Sequence, residues 1–158
     1  MSEDKFKDVI EKIKQSSPES SIYVGCDSIC YNRGGRKRKG KSEWYARYST
    51  VVILHRDSCR GGEMIYHHSE SLKDYGNKKT RLLQEVQFIV EVALAIVDHI
   101  EDRHMELHID INPDPKHASF VAYNEAKGWI KGMGFEAKFK PESWASTHAA
   151  DHAVRYKH

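Results

Sequence analysis

The chain contains 158 residues with a formal net charge of +2, and 39% of its residues are hydrophobic. This length fits one domain, residues 1–158, with a sizeable core, and the small net charge excludes a global excess of basic residues. Three cysteines, an odd and sparse set, argue against a disulfide scaffold and for a reducing compartment. The longest apolar run, FIVEVALAIV, contains Glu91 and is too short to span a bilayer, so we expect a cytoplasmic protein.

The first half of the sequence predicts one helix and then three strands. Apolar residues recur at helical spacing over residues 4–15, and QSSPESS ends this helix within an N-terminal extension of residues 1–19. Runs rich in β-branched and aromatic residues come next, and we interpret them as an antiparallel meander. They occupy residues 22–29, 43–55 and 63–70.

A basic segment, RGGRKRKGK, lies within an insertion of residues 31–42 between the first two strands. It carries six positive charges and no negative one. Such runs are usually only solvated surface, but Tyr31, Trp44 and Tyr45 flank this one. Basic side chains bind phosphates and aromatic rings stack on bases, so we predict contact with nucleic acid. The predicted binding residues are Arg33, Arg36, Lys37, Arg38, Lys39 and Lys41.

The second half alternates helices with strands. The predicted elements are a buried helix over residues 78–100, a strand over 105–112, a helix within 117–134, a strand over 135–140 and a last helix from about Ala145. The resulting order is β-β-β-α-β-α-β-α, preceded by one extra helix. This order predicts an α/β fold with a mixed five-stranded sheet flanked by helices.

Three acidic residues lie where such a fold places functional sites. Asp27 and Asp110 are near the C-terminal ends of the first and fourth strands, the edge that ligands favour in α/β sheets. Glu85 lies in the first turns of the buried helix, where a carboxylate is costly unless it is paired or meets a cation. Glu91 is an alternative in the same helix, and Asp114 is an alternative to Asp110.

The C-terminal sequence STHAADHAVRYKH places a carboxylate, Asp151, in an alanine-rich run. His148 lies three residues earlier, on the same side of the predicted helix. A solvated helix residue is the plain interpretation of Asp151, and a ligand on the last helix is the functional one.

The stretches VGCDS, TRLLQEVQFIV, LHIDIN and THAADHAV make residues 20–156 similar to the ribonuclease H-like nuclease superfamily. The resemblance is closest to the YkuK-type family of predicted ribonuclease H-related nucleases. The superfamily carries acids on its first strand, first core helix, fourth strand and last helix. The matching residues here are Asp27, Glu85, Asp110 and Asp151. The chain departs from many ribonuclease H enzymes in lacking a glycine after Asp27, and its last helix looks closer to Holliday-junction resolvases.

The resemblance implies a nuclease that hydrolyses phosphodiester bonds with two Mg²⁺ or Mn²⁺ ions about 4 Å apart. Asp27 would bridge the ions, Glu85 and Asp110 would hold one of them, and Asp151 the other. His148 would orient a water molecule or assist product release. The implied partner is an RNA–DNA hybrid, RNA or branched DNA, without a membrane.

Other functions stay open at this point. A non-cleaving nucleic-acid-binding module could keep the same fold, although clustered acids near phosphates do not help a pure binder. A Holliday-junction-resolvase-like enzyme acting on branched DNA would require a dimer, and a protein-interaction module would bind acidic partners through the basic segment. A zinc site at Cys26 and Cys30 lacks a second ligand pair. An EF-hand at DINPD fails because Pro115 replaces the required glycine.

Overall fold

The computed structural model describes residues 3–33, 43–56, 62–140, 143 and 145. The strands in these residues are β1 Ser21–Asn32, β2 Trp44–His55, β3 Gly62–Lys73, β4 His104–Ile109 and β5 Ala137–Phe139. The α-helices are α1 Lys7–Gln15, α2 Lys78–Ile96 and α3 Tyr123–Gly132. A short 3₁₀ helix precedes α1 at Glu3–Phe6. Another follows α2 at Val97–His99, and a third precedes α3 at Ala118–Ala122.

The strands form one sheet in the order β3-β2-β1-β4-β5. β1, β2 and β3 make an antiparallel meander, whereas β1 pairs with β4, and β4 with β5, in parallel. The α/β fold with a mixed five-stranded sheet that the sequence predicts is therefore confirmed. Parallel strands need a crossover between them, and α2 and α3 lie in the two crossovers.

Helix α2 packs on one face of the sheet and builds the main core there. The helix begins where Asn77 Oδ1 accepts a hydrogen bond from the Thr80 amide at 3.0 Å, an N-cap contact that satisfies a free backbone N–H. Its apolar residues meet alternate residues of β1, β2 and β4. The buried strand residues include Ile22, Val24, Cys26, Val52, Leu54, Leu107 and Ile109. Each large side chain of this kind stabilises the fold by about 1.5–3 kcal/mol on burial.

The other face of the sheet carries a smaller cluster made by Tyr23, Val51, Ile53 and Ala145. Side chains alternate between faces along a strand, so this cluster and the α2 core use opposite residues of β1. The second face is also the one on which Asp27 lies, four residues beyond Tyr23.

A buried arginine fixes α1 to the rest of the molecule. The Arg103 side chain, 4% exposed, donates from Nη2 to the Ser16 carbonyl at 2.5 Å and the Lys14 carbonyl at 3.3 Å. Its Nε donates to Ser16 Oγ at 3.0 Å. These carbonyls belong to the C-terminal end of α1, where intrahelical donors are absent. Arg103 therefore caps α1 from the turn that precedes β4.

Element boundaries differ from the sequence-based prediction in several places; β3 runs to Lys73, α2 ends at Ile96, and β5 is only Ala137–Phe139. β1 continues to Asn32, because its pairing with β2 extends without interruption to Trp44. β4 ends at Ile109, ahead of Pro113, and α3 is shortened at its start by a 3₁₀ turn. Of the predicted last helix, only Ser143 and Ala145 lie within the described residues, and both are buried.

Candidate metal centre

The parallel pairing of β1 with β4 brings two aspartates side by side. The ladder pairs Tyr23 with Glu106 and Gly25 with His108. Two residues further along the same register, Asp27 stands beside Asp110, which follows directly after the end of β4. Both side chains are half-buried and lie on the same face of the sheet.

Helix α2 supplies the third carboxylate. Glu85 is only 4% exposed, and Ser28 Oγ donates a hydrogen bond of 2.6 Å to its Oε2. Oxygens from Asp27, Glu85 and Asp110, one from each, all lie within 4.8 Å of one another. Residues separated by up to 83 positions in the chain thus converge at one end of the sheet.

The convergence is electrostatically unfavourable without a cation. Burial raises the pKa of Glu85 well above its ordinary value, and the charges of Asp27 and Asp110 raise it further. The hydrogen bond from Ser28 and the charge of Arg81 act in the opposite direction and lower that pKa. The pKa of the neighbouring Cys26 thiol is also raised, by burial first and by Glu85 next. A divalent cation would offset the repulsion among these groups.

A lysine lies at the edge of the three carboxylates. Lys140 Nζ is 2.9 Å from Asp110 Oδ1, and the two side chains are 36% and 17% exposed. The backbone amide of Lys140 donates to the Ile111 carbonyl at 3.1 Å, so the segment after β5 is held next to the end of β4. A positive charge is therefore present at the edge of the three carboxylates.

A family comparison agrees with this fold. The family model described as Ribonuclease H-like matches residues 4–155. The chain belongs to the ribonuclease H-like family. It is also 26% identical over 160 residues to the uncharacterized protein YkuK of Bacillus subtilis (strain 168), a match that covers 89% of this chain and 86% of that protein. No solved structure matches the chain significantly.

Other acids of this ribonuclease H-like chain lie elsewhere. Glu91, the alternative to Glu85, accepts a hydrogen bond from Gln87 Nε2 at 3.2 Å on the same helix. Asp114, the alternative to Asp110, is exposed and accepts from the Lys116 amide at 3.0 Å in a turn. The structure thus places Glu85 and Asp110 in the cluster and their alternatives outside it.

Several predicted residues lie outside the described residues. These are His148, Asp151, Arg36, Lys37, Arg38, Lys39 and Lys41. Arg33 is described and is exposed just after the end of β1. The roles of all these side chains stay predictions.

A buried histidine connects the sheet to the C-terminal segment. His108 Nδ1 accepts a hydrogen bond from the Ala145 amide at 3.1 Å, and its Nε2 lies 3.1 Å from Glu106 Oε1. Because Nδ1 accepts, Nε2 carries the proton and donates to Glu106. Burial lowers the pKa of His108, while Glu106 raises it. The neutral ring, packed 5.0 Å from the Tyr23 ring, fixes the chain six residues before Asp151.

Sequence reasoning assigned no role to His108 or Lys140. The alternation of β4 places His108 on the same face as Asp110, and this signal could have identified it. Lys140 gave no such signal, because its contact with Asp110 depends on the path of the chain after β5.

A second group of possible ligands lies at the opposite end of β4. His104, Glu106 and Glu136 each offer one atom within 4.8 Å of the others. His104 lies 2.9 Å from Glu106 and 3.4 Å from Glu136, which pairs these charges when the imidazole is protonated. Ion pairs near the surface account for this group without a metal.

Among the described helices, none has the length and apolar character that crossing a bilayer requires.

Proposed function

We propose that this chain is a divalent-metal-dependent nuclease that hydrolyses phosphodiester bonds. One observation carries the proposal: Asp27 in the middle of β1, Asp110 just after β4 and Glu85 on α2 converge to within 4.8 Å in a ribonuclease H-like chain. A structural role alone would not require three carboxylates in one place, because each raises the cost of ionising the others.

The donor set fits hard cations. All three side chains offer carboxylate oxygens, the ligands that Mg²⁺ and Mn²⁺ prefer. We assign Asp27 as the ligand shared between two ions, Glu85 and Asp110 to one ion, and Asp151 to the other. When bound, such ions lower the pKa of a coordinated water and stabilise charge on the attacking and leaving oxygens.

Residues of the chain itself would orient the site. Ser28 holds one oxygen of Glu85 and leaves the other for a ligand. Lys140, partly exposed beside Asp110, is placed to contact a phosphate oxygen of the substrate. His148 would orient water or assist product release from the last helix.

The proposed partner is nucleic acid, namely an RNA–DNA hybrid, RNA or branched DNA. Arg33 and the basic residues that follow it would contact its phosphates. The proposed location is the reducing cytoplasm, on the argument from the odd and sparse set of three cysteines.

Cleavage of a panel of labelled RNA, DNA, hybrid and branched substrates with Mg²⁺, Mn²⁺ or EDTA tests the proposal. Glu85→Gln should lower the cleavage rate by at least about 100-fold, since loss of a metal ligand removes several kcal/mol of transition-state stabilisation. Glu91→Gln is the matched control, the same change on the same helix outside the cluster, and should cleave as wild type. Binding without cleavage under every metal condition would favour a non-cleaving module, and equal rates for both variants would remove Glu85 from the site.

A further inference from the structure

A partly exposed face of the sheet continues from Asp27 along the β1–β2 hairpin. The antiparallel register pairs Asp27 with Ser49, Ile29 with Arg47 and Tyr31 with Tyr45. No shift interrupts this pairing, so all of these side chains lie on the same face as Asp27. Tyr31 is four residues beyond Asp27, a distance of about 13 Å along the strand.

Four side chains on this face form a continuous stack, which we name the Arg–Tyr ladder: Arg33, Tyr45, Tyr31 and Arg47. The Arg33 guanidinium lies 5.0 Å from the centre of the Tyr45 ring. The two tyrosine rings are 6.0 Å apart with planes inclined by 26°. The Arg47 guanidinium lies 5.8 Å from the centre of the Tyr31 ring. The ladder therefore presents planar groups with a positive charge at each end.

The charge of this face suits a phosphate backbone. Lys73 pairs with Tyr45 across the β2–β3 ladder and is exposed on the same face, which adds a third cation. The opposite half of the face is occupied by Ala145 against Val51 and Ile53. The carboxylates lie between the two halves, so a strand on the ladder would lead directly to them.

We propose that the Arg–Tyr ladder binds an unpaired strand of nucleic acid and leads it to the three carboxylates. The proposal rests on the proposed nuclease function and specifies its substrate class as single strands or strands with an unpaired end. The two tyrosine rings hold the guanidinium planes of Arg33 and Arg47 at the ends of the stack. The outer face of each guanidinium plane can stack on a base whose face is free, whereas the bases of a duplex already stack on each other. Stacking tolerates every base, so the proposed binding has little sequence preference.

Anisotropy of a fluorescein-labelled 12-nucleotide oligodeoxythymidylate, measured in EDTA, tests the ladder. Tyr31→Ala with Tyr45→Ala should weaken binding at least about tenfold, because stacking contributes about 1–3 kcal/mol per base. Tyr31→Phe with Tyr45→Phe keeps both rings and should bind as wild type. Trp129→Ala is the control, since Trp129 is an aromatic residue of α3, 37% exposed, and outside the ladder. Its affinity should not change.

Removal of the two guanidinium groups gives a separate measurement that does not disturb the core. Arg33→Gln with Arg47→Gln should make the slope of log affinity against log salt shallower, by about 0.7 for each lost phosphate contact. The tyrosine variants remove no charge and should leave this slope as it is. An unchanged slope in the arginine variant, or unchanged affinity in a folded double alanine variant, would overturn the proposal.

Competition decides the class of partner. Blunt duplex DNA of the same length should compete at least tenfold less well than the single strand, and polyglutamate should not compete. Equal competition by the duplex, or by polyglutamate, would contradict an unpaired strand as the ligand. Because these measurements need no metal, they separate the two proposals. Lack of cleavage of every substrate by the wild type would overturn the nuclease proposal, and the binding measurements would still test the ladder.

Discussion

Glu85 shows how one side chain can oppose folding and still be retained. It is buried beside Asp27 and Asp110, and its raised pKa means that the folded chain holds a proton there that the unfolded chain releases. Stability therefore falls as pH rises above the ordinary glutamate pKa of 4.5, until the folded carboxyl also ionises. The sequence predicted this residue because a carboxylate within an apolar helix needs a partner. It could not predict the hydrogen bond from Ser28, which depends on how α2 is rotated against β1.

Replacement of this carboxyl by an amide should stabilise the metal-free protein. We expect Glu85→Gln to raise the free energy of unfolding in EDTA at pH 8 by about 0.5–2 kcal/mol, the usual size of such gains. The gain should shrink as pH falls toward 4.5 and below, because the wild-type carboxyl becomes protonated in the unfolded state as well. Urea unfolding at pH 5 and pH 8 measures it, with Glu91→Gln as the control. A Glu85→Gln protein no more stable than wild type at pH 8 would contradict the electrostatic description.

At the scale of elements, contacts between segments distant in sequence decide where each helix and strand end lies. The meander, the parallel pairing and α2 follow from periodicity, and the sequence predicted them. The tether from His108 to Ala145 and the cap on α1 by Arg103 were not predictable, because a polar side chain carries no periodic signal of its partner. Both contacts form only after the strands have paired, because their partners are far apart in the sequence.

Loss of the His108 acceptor should release the segment that begins at Ala145. We expect His108→Leu to lower the free energy of unfolding by about 1–3 kcal/mol, since a buried N–H is left without an acceptor. His108→Asn can place an oxygen near the position of Nδ1 and should recover part of that loss. Hydrogen exchange at the Ala145 amide is the readout, because protection should disappear in the leucine variant. Unaltered protection there would show that His108 does not hold this segment.

The cap on α1 should depend on the shape of the guanidinium group as well as its charge. Arg103→Lys keeps the charge but cannot reach the Ser16 hydroxyl and the Lys14 and Ser16 carbonyls together. We expect it to lower the free energy of unfolding by about 1.5–3 kcal/mol, the contribution of a hydrogen bond to a charged group. Chemical denaturation measures the change, with Lys14→Arg as a surface control. A loss below 0.5 kcal/mol, about the size of an ordinary surface effect, would contradict the capping role.

At the scale of the whole molecule, the strand order β3-β2-β1-β4-β5 places β1 and β4 next to each other. Asp27 lies in the middle of β1, not near its end as the sequence predicted, while Asp110 follows β4 directly and α2 carries Glu85 beside them. Sequence reasoning could predict this meeting because strand ends and helix starts follow from the order of elements. It could not predict the Arg–Tyr ladder, whose members come together only through the register of the hairpin. Asp151 lies outside the described residues, and its place beside the other three acids stays a prediction.

Metal binding should link the site to the stability of the entire fold. A ligand that binds only the folded state, present at 100 times its dissociation constant, adds about 2.7 kcal/mol to the free energy of unfolding. We expect Mn²⁺ or Mg²⁺ to raise the melting temperature of the wild type, more at pH 8 than at pH 5, because the carboxylates must be ionised to bind. Asp27→Asn should abolish most of this increase. The same melting temperature with and without metal, or an equal increase in both proteins, would argue against binding at the three carboxylates.

Asp27 and Ser28 are consecutive residues of β1, so one faces Asp110 and the other faces Glu85. The backbone of β1 thus separates the side chain of Asp27 from that of Ser28. A one-residue slip of a strand exchanges its faces, and a deletion in β1 ahead of Asp27 would put the hydroxyl where the acid belongs. A point substitution in β1 changes one side chain, but a change in the number of its residues would exchange the faces of every following residue, inactivate the site and turn the core outward in a single step. The number of residues in β1 is therefore more strictly constrained than their identity.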